Sequence, residues 1–289
     1  MPVQPAPSHW SLSEPRKITF EEPVTALSVR IVGGTVNVVG TDSGPARLEV
    51  SAIDGPPLVV THASGTLTVT YEDLTWSGFL KWPRGKWNRS ATVTLTVPAA
   101  TRVEVGVVDA SAVVSGVSGR TDVRGVVGDT TLAGLTGAVR AETVSGRLEA
   151  QGLGGTLRFT SVSGDLTLVE SAGARVEADS VTGDMALDLS PAVGAPALSL
   201  ATVSGEIAVR LPATADVSVD ASTTGGPVSC AFEELSVSTP FGARKITGRL
   251  GAGLGSLKIT TVSGALALLR RPDTEDWAGA AAPARGKVL

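Results

Sequence analysis

Two histidines (His9, His62), one cysteine (Cys230) and two methionines are all that 289 residues offer as imidazole or sulfur ligands. A zinc site, an iron–sulfur cluster and a disulfide framework each need more than that stock. A Ser-His-Asp triad would have to use His9 or His62, and neither stands in a suitable setting. Carboxylates are the chemistry that remains. Asp165 and Asp184 with Arg147 have the residue types of a carbohydrate-active lyase or hydrolase, which needs its acids within ~5–10 Å. No aromatic platform for a sugar accompanies them, so a polysaccharide enzyme or binder is the alternative reading, and the expectation is a chain without catalytic, cofactor or metal residues. The net charge of −4 provides no basic field for nucleic acid.

One stretch departs from the rest in composition. Leu74 to Arg89 holds Trp76, Phe79, Leu80, Trp82 and Trp87, with Lys81, Arg84, Lys86 and Arg89 and no acid, in a chain only 4% aromatic. Such a loop either covers the open end of a core or meets a partner groove or an anionic membrane interface. These nine side chains are the candidate partner- or membrane-binding residues.

The elements that would position them follow from a repeat. Glycines at 119, 128, 137, 146, 155 and 164 are nine residues apart without a slip. Counting each Gly as position 1, positions 3 and 5 are mostly aliphatic (Val123, Leu132, Val139, Leu148, Leu157), which is the period of a half-buried strand. Position 8 is aliphatic throughout (Val126, Leu135, Val144, Leu153, Val162) and is expected to point inward. The glycine is expected to supply a positive φ or tight bend at each corner. Val-Ser/Thr-Gly recurs at 144, 162, 181, 203 and 262, so a coil is about two nonads, and the final gap is expected to hold about three coils. Position 2 on alternate nonads (Asp129, Arg147, Asp165) is expected to form a surface ladder of alternating charge. The run that follows, Asp165, Asp184 and Glu206, has no intervening cation and reads as solvated carboxylates, with attraction of a metal ion or a basic partner as the alternative.

The predicted fold class is therefore all-β: a single-stranded β-solenoid (β-helix) of about 18–22 residues per coil with an irregular strand-rich N-terminal part. The boundaries are a disordered segment over 1–17, the irregular part over 18–100 with its loop at 74–89, the regular solenoid over 101–270 and a disordered tail over 271–289. Met1 to Lys17 has neither the charge nor the apolar run of a secretory signal, and no window approaches a membrane span, so a cytoplasmic location, peripheral to a membrane at most, is expected. Cys230 reads as a small core residue.

The repeated units Ser163-Gly164-Asp165-Leu166 and Ser204-Gly205-Glu206-Ile207, with Val93-Thr94-Leu95-Thr96-Val97-Pro98 leading into the first coil, resemble the bacterial putative-adhesin family, also described as the DUF4097 or toastrack-type β-strand repeat. The similarity covers about residues 20–270. It implies a β-solenoid without catalytic residues and a link to membranes or envelope-stress systems. The function expected is a non-enzymatic scaffold acting with a protein partner, itself or the cell envelope.

Overall fold

A computed structural model describes residues 8–74, 89–173 and 175–272. All regular structure among them is β, apart from one 3-10 turn at Pro240–Gly242. Alternation of small polar and aliphatic residues gives short strands with one buried face, and frequent glycine and proline interrupt them.

Two strands are long enough to bend. β3 (Ala26–Thr41) and β8 (Arg102–Ser115) pair in parallel along nearly their whole length, from Ala26 opposite Arg102 to Val39 opposite Ser115. Each turns a corner near its middle, at Gly33–Gly34 and at Val108–Asp109. The first half of each belongs to one ladder and the second half to another, so all strands join in one continuous mixed sheet.

Beyond β8 the chain alternates between the ladders. The first ladder takes β9 (Thr121–Val127), β11 (Val139–Thr143), β13 (Thr156–Ser161), β15 (Arg175–Asp179) and β17 (Ala197–Thr202), all parallel. The second takes β10 (Thr130–Ala133), β12 (Arg147–Gln151), β14 (Asp165–Ser171), β16 (Met185–Leu189) and β18 (Ile207–Leu211), also parallel. Partners are 18 residues apart at first (Thr130 with Leu148), then 19 (Thr156 with Arg175) and 22 (Met185 with Ile207). This is the solenoid-like stacking that the nine-residue spacing predicts.

The inward side chains of both ladders form a single aliphatic core. Volumes alternate along a column: Phe159, fully buried, lies between Ala141 and Ala178 on the neighbouring rungs. One large ring thus fills the space that two methyl groups leave, as close packing requires.

Both ends are closed. β1 (Ser8–Leu12) and β2 (Arg16–Phe20) pair antiparallel with β5 (Leu58–Ala63) and β4 (Ala46–Asp54), one on each ladder. Leu12 and Phe20 are buried there, and Trp10 meets Phe20 edge-on at 5.6 Å. Residues 8–17, expected to be disordered, are therefore part of the cap; their few apolar side chains suffice because the sheet edges supply backbone partners. Phe232 and Leu235 are buried at the opposite end, following β20 (Val228–Cys230).

The spatial order breaks twice. At the N-terminal end β3 lies between β8 on one side and β6 (Thr66–Tyr71) with β7 (Ser90–Pro98) on the other, although both of these follow it in the chain. The second break involves the last coil. β23 (Gly255–Thr261) pairs in parallel with β17 on one side and β19 (Val217–Thr223) on the other. β24 (Leu266–Arg270) sits likewise between β18 and β20. The gap before Val262 was expected to hold about three coils; instead the chain makes one coil, returns through β21 (Ser236–Ser238) and β22 (Arg244–Leu250), and inserts its last coil on the rung next to Val203.

Candidate interaction edge

The corner joining the first ladder to the second is built from a four-residue unit, Ser/Thr-Val-Ser/Thr-Gly. Its first residue faces inward: Ser161, Ser180, Thr202 and Thr261 are buried, and each hydroxyl accepts the N–H of the glycine three residues on, at 2.6, 3.0, 3.2 and 3.1 Å. The third residue donates its hydroxyl to the preceding rung's valine carbonyl, Ser163 to Val144 at 3.2 Å and Thr182 to Val162 at 3.3 Å. The glycines stack on one another. A Cβ at Gly183, Gly205 or Gly264 would overlap the carbonyl oxygen of the glycine one rung earlier.

The requirement at this corner is therefore close approach more than backbone sign. Gly128 and Gly146 do have positive φ, at 115° and 105°, but Gly164, Gly183, Gly205 and Gly264 do not. Sequence reasoning found the glycine and the valine of the unit. It missed the inward hydroxyl, although a Ser or Thr before every valine was there to be seen.

The valines form a column, as the spacing requires, but they face solvent. Position 8 points inward at the other corner, where Leu135 and Leu153 are buried. Here Val144, Val162, Val181, Val203 and Val262 are 37%, 51%, 46%, 47% and 50% exposed. The correction follows from the strand period: once Ser161 or Thr202 points in to cap its glycine, the next side chain must point out. Rungs ~4.8 Å apart make a ridge of five valines spanning about 19 Å. Threonine has the same shape and the same preference for extended backbone, so five valines in its place leave an apolar stripe unexplained by the fold.

An acidic column borders the ridge. Asp129, Arg147 and Asp165 were expected to alternate in charge, and Asp165, Asp184 and Glu206 to be solvated carboxylates. The register is as expected, Arg147 opposite Asp165, but the carboxylates serve the backbone. Arg147 N–H donates to Asp129 at 3.0 Å, Asp184 N–H to Asp165 at 3.0 Å and Glu206 N–H to Asp184 at 2.7 Å. Asp129, Asp165 and Asp184 each pin the next coil in this way, and no group of three His, Cys, Asp or Glu among the described residues is placed to hold a metal.

The ridge leads to the base of the aromatic and basic loop. β6 (Thr66–Tyr71) lies on the first ladder and β7 (Ser90–Pro98) on the second, so β6 ends and β7 begins at this same corner. Gly33 lies between Ser90 and Asp109, Asp109 lies opposite Val127, and Gly33 N–H donates to Arg89 O at 3.1 Å. Trp76, Phe79, Leu80, Lys81, Trp82, Arg84, Lys86 and Trp87 fall outside the described residues. Arg89 is described, and it is buried. Its guanidinium makes two hydrogen bonds to the Asp73 carboxylate, at 2.7 and 3.1 Å, and lies 4.9 Å from the Tyr71 ring centre. A bidentate, charge-assisted pair of this kind clamps the two stems of the loop; as a surface contact residue Arg89 is unsuited.

Burial pushes the Tyr71 hydroxyl up to about 12, with Arg89 drawing it partly back. That hydroxyl is buried without a hydrogen-bond partner among the described residues. A cavity of about 400 Å³ opens beside it, lined by Ser11, Pro56, Pro57, Asp73 and Arg89 among others. A second, of about 340 Å³, lies on the outer face of the second ladder over Ala186 and Ala208. Asp188 walls that groove between Arg210 at 3.2 Å and Arg271 at 3.3 Å, so Arg271, expected to begin a disordered tail, is tied into the sheet.

No family model matches the chain, and no curated relative does. Two solved structures are similar in part. One, from Clostridium sporogenes, is named a "putative cell adhesion protein"; it is 10% identical, with 89% of this chain and 100% of that one covered at a TM-score of 0.29. The other, from Parabacteroides distasonis, is named a "putative lipid binding protein"; it is 8% identical, with 91% and 98% covered at a TM-score of 0.24. The functional reading below stands on the chain's own geometry.

Proposed function

We propose that the chain is a single-stranded β-solenoid scaffold without enzymatic activity, of the kind the DUF4097 resemblance implies, and that it works by docking a partner protein along its valine corner. The observation that carries this reading is the ridge itself: five exposed valines on successive rungs, where packing requires none. Its acidic border (Asp165, Asp184, Glu206) selects for a partner whose apolar stripe is flanked by Lys or Arg. Asp73 and Arg89, which flank the loop sequence, stand on the same edge, and the tryptophans and cations of that sequence are the proposed second anchor, of opposite charge.

A stack of parallel strands suits that role, because it holds the docking side chains at fixed spacing with little ordering cost on binding. The ion pairs of the outer faces are a poor basis for an active site, since they are spent on the scaffold. Arg124 bridges Glu142 at 3.3 Å and Glu104 at 3.7 Å, and Arg158 meets Glu177 at 2.9 Å.

The test is a capture experiment from native lysate with three baits: the full chain, a Val162→Glu/Val181→Glu/Val203→Glu variant, and an outer-face control, Ser199→Glu. The reading expects one partner retained by the full chain and by the control and lost by the ridge variant. Equal retention by all three baits overturns it. Co-sedimentation of the same proteins with anionic vesicles separates a membrane surface from a protein partner. Peripheral and cytoplasmic placement is part of the proposal, and vesicle binding lost with Trp76→Ser/Trp82→Ser/Trp87→Ser but not with the ridge variant assigns that contact to the loop.

A further inference from the structure

The coil made by β23 and β24 occupies a slot that its neighbours can close without it. Ser256 of β23 lies opposite both Ala197 of β17 and Ser218 of β19. Leu266 of β24 lies opposite both Ile207 of β18 and Val228 of β20. The strands on either side of the slot therefore share one register. Leu198, Leu257 and Val219 make one inward column, Leu200, Ile259 and Ala221 the next, and Thr202, Thr261 and Thr223 a third.

The sequence spacing agrees with this register. Val176 to Leu198 is one rung of 22 residues, and Leu198 to Val219 would be a rung of 21. Glycine also meets glycine: Gly226 stacks on Gly264, which stacks on Gly205, so Gly226 would fit Gly205 directly. Hence β19 and β20 share the register, the inward Thr223 and the stacking glycine of the coil that would follow β17 and β18, with Thr224 in place of the corner valine, and the last coil is wedged between them.

The link to the inserted coil is short and bent. β22 runs antiparallel along the outer edge of β19, and residues 251–254 cross the end of that strand to enter its inner edge as β23. Leu254 N–H donates to the Asp216 carboxylate at 2.8 Å and Gly255 N–H to Asp216 O at 3.0 Å. Gly251 and Gly253 hold positive φ, at 62° and 75°, and Leu254 between the second of them and the strand is 77% exposed.

We propose that this coil is exchangeable and that the slot accepts the same coil from a second copy of the chain, giving a coil-swapped dimer. An opened monomer exposes Leu257, Ile259, Leu266 and Leu268, all fully buried in the closed form. Reciprocal exchange buries them again in identical surroundings, so only the crossover at 251–254 differs between monomer and dimer. The inference is independent of the valine ridge and holds or fails without it.

Ser199 and Lys258 are directly opposed and exposed on β17 and β23, at a spacing that a disulfide can bridge. The experiment uses the full chain carrying Ser199→Cys and Lys258→Cys, with Cys230→Ser to remove the native thiol. The protein is concentrated, held some degrees below its unfolding midpoint, cooled and oxidised, then sized by light scattering and by non-reducing electrophoresis. The expected result is a dimer whose chains are covalently joined, beside a monomer cross-linked only to itself. Dimers that separate into internally cross-linked monomers, or no dimer at any concentration, overturn the proposal. A Gly251→Ala version raises the swapped fraction about tenfold, because the closed crossover then strains a left-handed residue; an unchanged fraction counts against exchange.

Discussion

Val262 rests directly on Val203: the N–H groups of Val262 and Ser263 both donate to the Val203 carbonyl, at 3.2 and 3.0 Å. The two valines belong to consecutive rungs although a whole coil and an antiparallel return separate them along the chain. The repeat unit is therefore a rule about neighbouring rungs, and each of its positions answers to a different physical demand.

The glycine answers to space. Gly205→Ala places a Cβ on the Gly183 carbonyl and is expected to destabilise the fold by about 2–3 kcal/mol. Gly194 meets nothing within 4 Å and has no positive φ, so Gly194→Ala is expected to be neutral or to stabilise by about 0.4–1 kcal/mol. Urea unfolding of the two variants, with equal slopes, measures the contrast.

The first residue of the unit answers to hydrogen bonding. Ser161→Ala leaves the buried Gly164 N–H without its acceptor and is expected to cost about 1–3 kcal/mol. Ser161→Thr should retain most of that stability, since Thr202 and Thr261 make the same bond to Gly205 and Gly264. If alanine and threonine are tolerated equally, the hydroxyl does not carry the corner.

The Tyr71 hydroxyl makes the fold sensitive to alkali. Ionisation near pH 10 in the unfolded chain and near 12 in the folded one means that the unfolded chain sheds this proton first. The contribution is whole below pH 10 and is lost as pH rises through about 12. Tyr71→Phe removes this part of the alkaline slope, and at neutral pH it is expected to be neutral or stabilising by about 1 kcal/mol, because an unpartnered hydroxyl leaves the core. Since Tyr71 is the chain's one tyrosine, ultraviolet titration reads its ionisation directly.

The ridge valines answer to nothing inside the fold. Val162→Thr and Val181→Thr are each expected to change stability by less than about 0.5 kcal/mol. Leu168→Ala, one strand further on and fully buried, is expected to cost about 2–5 kcal/mol. Thermal unfolding of the three variants separates surface from core.

Much of this corner is legible in the sequence. The strand period, the corner glycines and the 18-residue rung follow from local chemistry, and Val144, Val162 and Val181 do fall in one column. The side on which that column lies depended on whether Ser161 or Val162 pointed inward, and hydropathy favours the valine. Only the buried hydrogen bond to Gly164 reverses the choice. The insertion of the last coil was hidden for another reason. Leu198 fits Val219 and Leu257 equally well, so the order in which coils stack is decided by the crossover at 251–254, where the sequence shows merely a glycine-rich turn. The first strand of the N-terminal cap was missed because Leu12 sits among polar and proline residues that read as disordered until a sheet edge pairs with them. In the loop over 74–89, composition pointed to nine contact residues, and Asp73 turns one of them, Arg89, into a buried clamp.

Site-specific photo-cross-linking in living cells tests the docking edge most directly. A photoreactive amino acid replaces Val144, Val162, Val181 or Val203 on the corner, or Arg158, Ser199 or Lys258 on the outer face of the first ladder. Adducts of one defined mass from the four corner positions, with none from the three on the outer face, are the predicted result. Adducts from the outer face alone, or from neither surface, would contradict the assignment of the valine corner as the surface through which this protein acts.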